Sequence, residues 1–377
     1  MSDCGGDCGG DYGGDCGGSY SGGGSYSGSS TSLSSYSISV SSIHGRKRIK
    51  KYRPKKKRRS SSILYKIILV LFVLLCGYII YTFACNHAEK NKIREYDEKH
   101  TNKKVIDGLR MNYKIVGETN KPTIIALTGF AAFAPTIEFK SLYDSLSDKF
   151  RVIILEPFGY GFSAVINKDR TLENYVSELH QLIKQFDIEK YYLMAHSIGG
   201  LYSIEYANNY ADEVLGFIGL DSFVPGQEAM ETFKKSAIES KYSKSTLLRV
   251  SGLYRIGTFF FKKSILSAID FDYPNMTDEE IEIVRLLAIN NGYNKSIMNE
   301  RDHIFDDLAL LQDKKFPEKV PVLNFINKEN SDPLWLKLHQ DVITNISKSD
   351  VIEIDGGHFL HNTSKEDVVK EIKKWAN

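Results

Sequence analysis

Hydrophobic residues fall into three regimes along the chain. Up to about residue 62 they stand isolated among Gly, Ser, Tyr and charged residues. Residues 67–84, read as Ile-Ile-Leu-Val-Leu-Phe-Val-Leu-Leu-Cys-Gly-Tyr-Ile-Ile-Tyr-Thr-Phe-Ala, then form an uninterrupted apolar run. From about Val105 onward short apolar runs alternate with amphipathic ones. These predict strands over 111–116, 123–127, 151–155, 191–194 and 214–220, and a helix over 139–146. They also predict a helix over 171–186, where Leu172, Val176, Leu179, Leu182 and Ile183 recur at helical spacing, and another ending at Asn208. Short apolar strands separated by helices imply an α/β fold with a mostly parallel sheet covered on both faces.

The alternation stops between 225 and 318, where helical patterns and aromatic clusters such as 254–261 occur without a clear strand. Strand character resumes at 320–325 and 351–354, each run followed by a helix. A helical insertion of that size, about 222–319, would sit above the carboxyl edge of the sheet as a cap over a pocket.

With the flanking residues 63–65, the apolar run reaches the roughly 20 residues needed to cross a bilayer. A cleaved signal peptide has a shorter apolar region and no sixty-residue tail before it. Charge supports a span, because eleven Lys and Arg crowd residues 46–59 while 86–104 mixes both signs. The positive-inside rule then expects residues 1–45 in the cytoplasm and the domain after Cys85 outside it, at the cell membrane. Set against a span, the basic block fits anionic headgroups better than nucleic acid. The tail opens with a four-fold Asp-Cys/Tyr-Gly-Gly repeat and continues Ser/Gly/Tyr-rich, too poor in apolar surface to offset its ordering entropy. Cys4, Cys8 and Cys16 lie in it, yet the spacing lacks the paired cysteines and fourth ligand of a zinc site. No cysteine follows Cys85, so the outer domain must bury its own core without disulfides. The organisation read from this is a disordered tail 1–45, a basic segment 46–62, a transmembrane helix 63–85, a linker 86–104 and a domain 105–377.

Candidate chemistry centres on Tyr192-Leu193-Met194-Ala195-His196-Ser197-Ile198-Gly199-Gly200, which puts Ser197 between a strand and a helix. A serine on so sharp a turn needs small neighbours, here Ala195 and Gly199, while Gly200 lets the helix lie close to other backbone. Taken alone, the same residues could simply cap a helix. Three further motifs stand in order around it: Leu127-Thr128-Gly129-Phe130, then Glu156-Pro157-Phe158-Gly159-Tyr160-Gly161-Phe162-Ser163, and Gly356-Gly357-His358-Phe359-Leu360-His361. Together they resemble the α/β-hydrolase family with a helical cap. The matching patterns there are the oxyanion loop, the Asp-x-Pro-Gly-x-Gly-x-Ser turn, the Gly-x-Ser-x-Gly elbow and the loop that carries the catalytic His.

The resemblance implies a serine hydrolase. Ser197 is the expected nucleophile and His358 the base, with His361 as runner-up and His196 supporting the elbow. For the acid, Asp221 at the end of strand 214–220 is preferred, because an Asp closing an apolar strand needs a partner. Asp332 is the alternative, two residues past the usual position, where Asn330 stands in place of the Asp, and Glu329 comes third. The amides of Phe130 and Ile198 are the expected oxyanion donors. Neither metal nor organic cofactor is implied. The expected partner is a small acyl substrate, of which a lipid ester suits the anchor. Tyr254, Phe259, Phe260 and Phe261 are candidates to line its pocket, to fill the cap core or to face the membrane. An inactive binding or sensor module, a tail-driven interaction protein and a proline-iminopeptidase-like peptidase stand as other readings. Asn275, Asn294, Asn345 and Asn362 each open an Asn-x-Ser/Thr triplet.

Overall fold

The computed structural model describes residues 60–230, 235–260, 275–330 and 332–376. The tail with its cysteines, the basic block and Phe261 lie outside the described residues, as do the side chains of Phe259 and Phe260. The chain divides into units 1–63 and 64–377, and the sheet with its helices belongs to the second.

In chain order the elements are α1 (Ser60–His100), β1 (Asn102–Ile106), β2 (Leu109–Val116), β3 (Thr123–Leu127), α2 (Pro135–Glu138), α3 (Lys140–Leu146), β4 (Arg151–Glu156) and α4 (Leu172–Lys184). Next come β5 (Tyr191–His196), α5 (Gly199–Asn209) and β6 (Val214–Leu220). The insertion contributes α6 (Lys235–Val250), α7 (Leu253–Phe260), α8 (Asp278–Asn290) and α9 (Lys295–Leu310). The chain then returns to the sheet with β7 (Val322–Asn327), α10 (Leu334–Asp341), β8 (Asp350–Ile354), α11 (Leu360–Thr363) and α12 (Lys365–Trp375).

The eight strands lie in the order β1-β2-β4-β3-β5-β6-β7-β8. β1, β2 and β4 pair antiparallel, and every pairing from β4 across to β8 is parallel. Because side chains alternate across a strand, each strand feeds two cores. On one face Ile125, Leu127, Ile153, Leu155, Leu193 and Ala195 pack with Val176, Leu179 and Leu201 from α4 and α5. On the other, Ile124, Ala126, Val152, Ile154 and Met194 meet Leu142, Leu146, Val368 and Ile372 from α3 and α12. The α/β sheet covered on both faces, expected from the sequence, is the observed architecture.

Two features depart from the sequence reading. The helix holding the apolar run does not stop near Cys85 but continues to His100 through most of the segment read as a linker. The rest of that segment opens β1, an edge strand whose Lys103 and Lys104 hide it from an apolar-run search. α1 docks through Tyr96, which is buried with Phe133, Ile137 and Phe162 and stacks on Phe162 at 5.7 Å between ring centres.

Candidate active site

Four segments that end at the carboxyl edge of the parallel strands converge on Ser197. β5 runs into α5 through a single strained residue, since Ser197 has φ +52°. That conformation is costly for a residue with a Cβ and lifts the hydroxyl out of the strand–helix line. The turn is tied down by its own backbone: the Ser197 carbonyl accepts from Phe223 N at 2.7 Å and Gly200 N at 3.0 Å. Small neighbours are needed on both sides. A Cβ on Gly199 would lie 3.1 Å from the Ala195 methyl, so Ala195 takes up space that Gly199 leaves. A Cβ on Gly200 would come within 2.3 Å of the Phe223 carbonyl oxygen.

The loop after β3 lies directly beside the serine, because a Cβ on Gly129 would sit 3.1 Å from the Ser197 Cβ. Among the described residues, the amides of Phe130 and Ile198 donate to no backbone acceptor. The loop is braced from behind by the turn after β4. Ala131, at φ +60°, donates its amide to the Tyr160 hydroxyl at 3.3 Å. Tyr160 and Tyr202 both donate to the carboxylate of Glu300 on α9, at 3.0 and 2.6 Å. Burial raises the Glu300 carboxyl above its ordinary pKa and the Tyr202 phenol well above its own. Glu156 is likewise buried and accepts from Asn112, Thr136 and Phe162 N, holding the start of the same turn.

β6 runs directly into Asp221, which is 4 % exposed and has φ +45°. Its Oδ1 accepts from Asn327 N at 2.8 Å, and its Oδ2 accepts from His358 Nδ1 at 2.6 Å. His358 reaches it from the loop after β8, where Gly356 and Gly357 have φ +143° and +72°. Asn327 also ties that loop, its Oδ1 accepting from Gly357 N at 3.2 Å. The structure thus brings Ser197, Asp221, His358 and the Phe130 loop to one edge of the sheet.

The other candidates lie elsewhere in the hydrogen-bond scheme. Asp332 Oδ1 accepts from Leu334 N at 2.9 Å, opening α10 as a turn residue. Glu329 is exposed. His361 is buried, stacked on Phe139 at 4.2 Å, and burial and nearby His358 hold its pKa down at about 3. His196 donates from Nε2 to the His358 carbonyl at 3.0 Å and so supports the histidine loop. Burial above all, then His358 and His361, keep His196 well below the usual imidazole pKa. Asn294 spends its side chain on the α9 N-terminus and the Gly159 carbonyl, and is buried.

Sequence reasoning missed Asn327 and the Tyr160–Glu300–Tyr202 cluster. Tyr160 lies within the quoted turn motif, but nothing local marks its role or the other residues, since the partners are 30 to 140 residues away. Among the described residues, no group of three or more His, Cys, Asp or Glu is arranged to hold a metal ion.

A family model for the alpha/beta hydrolase fold matches residues 122–242, which run from β3 through the elbow into α6. The fold is that of the α/β hydrolases. Cfl2 from Burkholderia cenocepacia superposes with a TM-score of 0.59 at 17% identity over 74% of this chain and 95% of its own. Epoxide hydrolase VrEH1 from Vigna radiata gives a TM-score of 0.57 at 14% identity, over 74% of this chain and 97% of that one. A membrane phospholipase A gives 0.55 at 15% identity over 84% of this chain and 98% of its own. By sequence, the chain is 24% identical to the uncharacterised protein YbdG of Bacillus subtilis over 81% of this chain and 96% of that protein. It is also 24% identical to the 2-hydroxy-6-oxononadienedioate/2-hydroxy-6-oxononatrienedioate hydrolase of Escherichia coli, over 57% of this chain and 70% of that enzyme.

Proposed function

We propose that the protein is a membrane-anchored serine hydrolase that cleaves an acyl ester through an acyl-enzyme. The observation that carries this reading is the 2.6 Å contact from His358 Nδ1 to a buried Asp221, beside a serine held at φ +52°. A hydroxyl is a weak nucleophile near neutral pH and needs an oriented base. With Nδ1–H committed to Asp221, His358 Nε2 carries the lone pair that removes the Ser197 proton as Oγ attacks the carbonyl carbon. The amides of Phe130 and Ile198 receive the developing oxyanion. His358 then returns the proton to the departing alcohol, and water activated by the same nitrogen releases the acid and frees Ser197.

Among the described residues, one helix, Ser62–His100, is long and apolar enough to cross a membrane. We read it as the anchor, and the basic block before it as cytoplasmic. An anchored site favours an acyl ester of the membrane. The Escherichia coli relative is itself a hydrolase, of a dioate, which supports a hydrolytic role for this site.

The test is fluorophosphonate labelling of the full chain beside Ser197→Ala and His358→Ala. Labelling of the wild type alone is the expected result. A folded wild type that takes no label overturns the serine-hydrolase reading and leaves a binding module.

A further inference from the structure

Exposed apolar side chains on a domain surface are ordinarily scattered. Among the described residues of the cap, five of them gather at one end, apart from Leu310 at the far end of α9. Leu247, Leu248, Val250, Leu253 and Ile256 flank the turn between α6 and α7 and are 68, 45, 71, 54 and 37% exposed. That turn rests against α1. The Tyr78 hydroxyl donates to the Ser251 carbonyl at 2.7 Å, and a Cβ on Gly252 would come within 2.4 Å of the Tyr78 oxygen.

The height of this contact along α1 is informative. A hydrocarbon core of about 30 Å takes roughly 20 helical residues at about 1.5 Å each. Counted from Ile63, that length runs to about Thr82, so Tyr78 falls about 6 Å inside the outer boundary. The residues before the contact, 63–77, cover only about 22 Å and cannot cross the core alone. Sliding the domain outward along α1 is blocked just beyond the span. Arg255 of α7 grips Glu89 of α1 through two hydrogen bonds at 3.0 and 2.9 Å, and Asn290 of α8 donates to the same carboxylate at 3.0 Å. The Arg255 and Glu89 side chains are 8 and 12% exposed, so this clamp lies largely out of water.

We propose that the α6–α7 turn is a membrane-docking surface whose occupant is the lipid bilayer itself. With α1 in the membrane, the five apolar side chains enter the boundary between headgroups and acyl chains, the depth at which amphipathic helices settle. Exposed Lys241 and Lys244, one to two turns back along α6, stand where their ammonium groups reach anionic headgroups. The same helix places Tyr242 edge-on against Phe130, 4.9 Å between ring centres, so one rod joins the docked tip to the oxyanion loop. The proposal rests on reading α1 as a membrane span.

Tryptophan depth measurement on the full chain in phosphatidylcholine vesicles tests it, using lipids brominated either near the headgroup or near the acyl terminus. Three variants are compared after subtraction of the wild-type signal from Trp335 and Trp375: Leu253→Trp at the tip, Leu71→Trp in α1 and Ile346→Trp on a distant exposed turn. Leu253→Trp should be quenched several-fold more by headgroup-proximal bromine than Ile346→Trp, and Leu71→Trp most by the deep label. Where Leu253→Trp does not fold, Val250→Trp on the other side of the turn reports the same depth. Should Leu71→Trp escape quenching, the span reading fails and the docking proposal falls with it. Quenching of Leu71→Trp with a tip no more accessible than Ile346→Trp would keep the span and overturn the docking proposal alone.

Discussion

Asp221 is bonded to the end of β7 and to the loop after β8 at once, through Asn327 N on one oxygen and His358 Nδ1 on the other. Asp221→Asn keeps the shape but offers an amide where the imidazole needs an acceptor, which favours the wrong tautomer. Turnover of a model ester should fall by about 10³–10⁴-fold with the fold intact. Asp332→Asn touches only the first turn of α10 and should change turnover little, at a stability cost of about 1 kcal/mol or less. The kcat values of the two variants on one ester decide the matter, and the reverse ranking would assign the acid to Asp332. The strained turns that carry Ser197 and His358 are legible in the sequence because such turns demand small residues beside them. The pairing of His358 with Asp221 is less so, because the two lie 137 residues apart and either strand end offers an Asp.

Among the elements, the parallel strands and the helices that cover them were readable because both faces of the sheet are buried, which forces continuous apolar runs. The cap was readable only as an interruption of that rhythm. The last turns of α1 were not readable, since the charged surface from Lys90 to His100 carries a helix packed there through Tyr96. The elbow helix provides a sharper case. Gly200 is required by the approach of α5 to the Phe223 backbone and the Ser222 Cβ, not by any dihedral angle. Gly200→Ala should therefore destabilise the domain by about 1–3 kcal/mol through overpacking, despite the better helix propensity of alanine. A lowered urea midpoint with an unchanged slope is the expected signature, and an unchanged midpoint would mean that the elbow yields freely.

For the whole molecule, buried titratable groups set opposing pH dependences. His361 has its pKa held at about 3 against 6.5 unfolded, so between these values the unfolded chain binds a proton that the native chain refuses. Stability from this group is present above pH 6.5 and falls as pH drops, with a slope approaching ~1.4 kcal/mol per unit. Glu138 and Asp307 are raised to about 7 by burial and act in the other direction: their contribution is full below the unfolded carboxyl range and is lost as pH rises through 7. His361→Phe keeps the stack on Phe139 and removes the titration. Relative to wild type, the variant should gain stability progressively below about pH 6.5 in urea titrations, and a flat difference would show that His361 ionises freely. Finally, α1 is one unbroken rod from Ser60 to His100, without proline and with a single glycine, and it is bonded laterally to the body it carries. A domain on a floppy leash sweeps a hemisphere and samples solutes by their molarity. One fixed to a stiff post has a set azimuth and altitude. With that post in a bilayer, encounters at Ser197 become two-dimensional, and the quantity that governs them is the mole fraction of substrate in the surrounding leaflet.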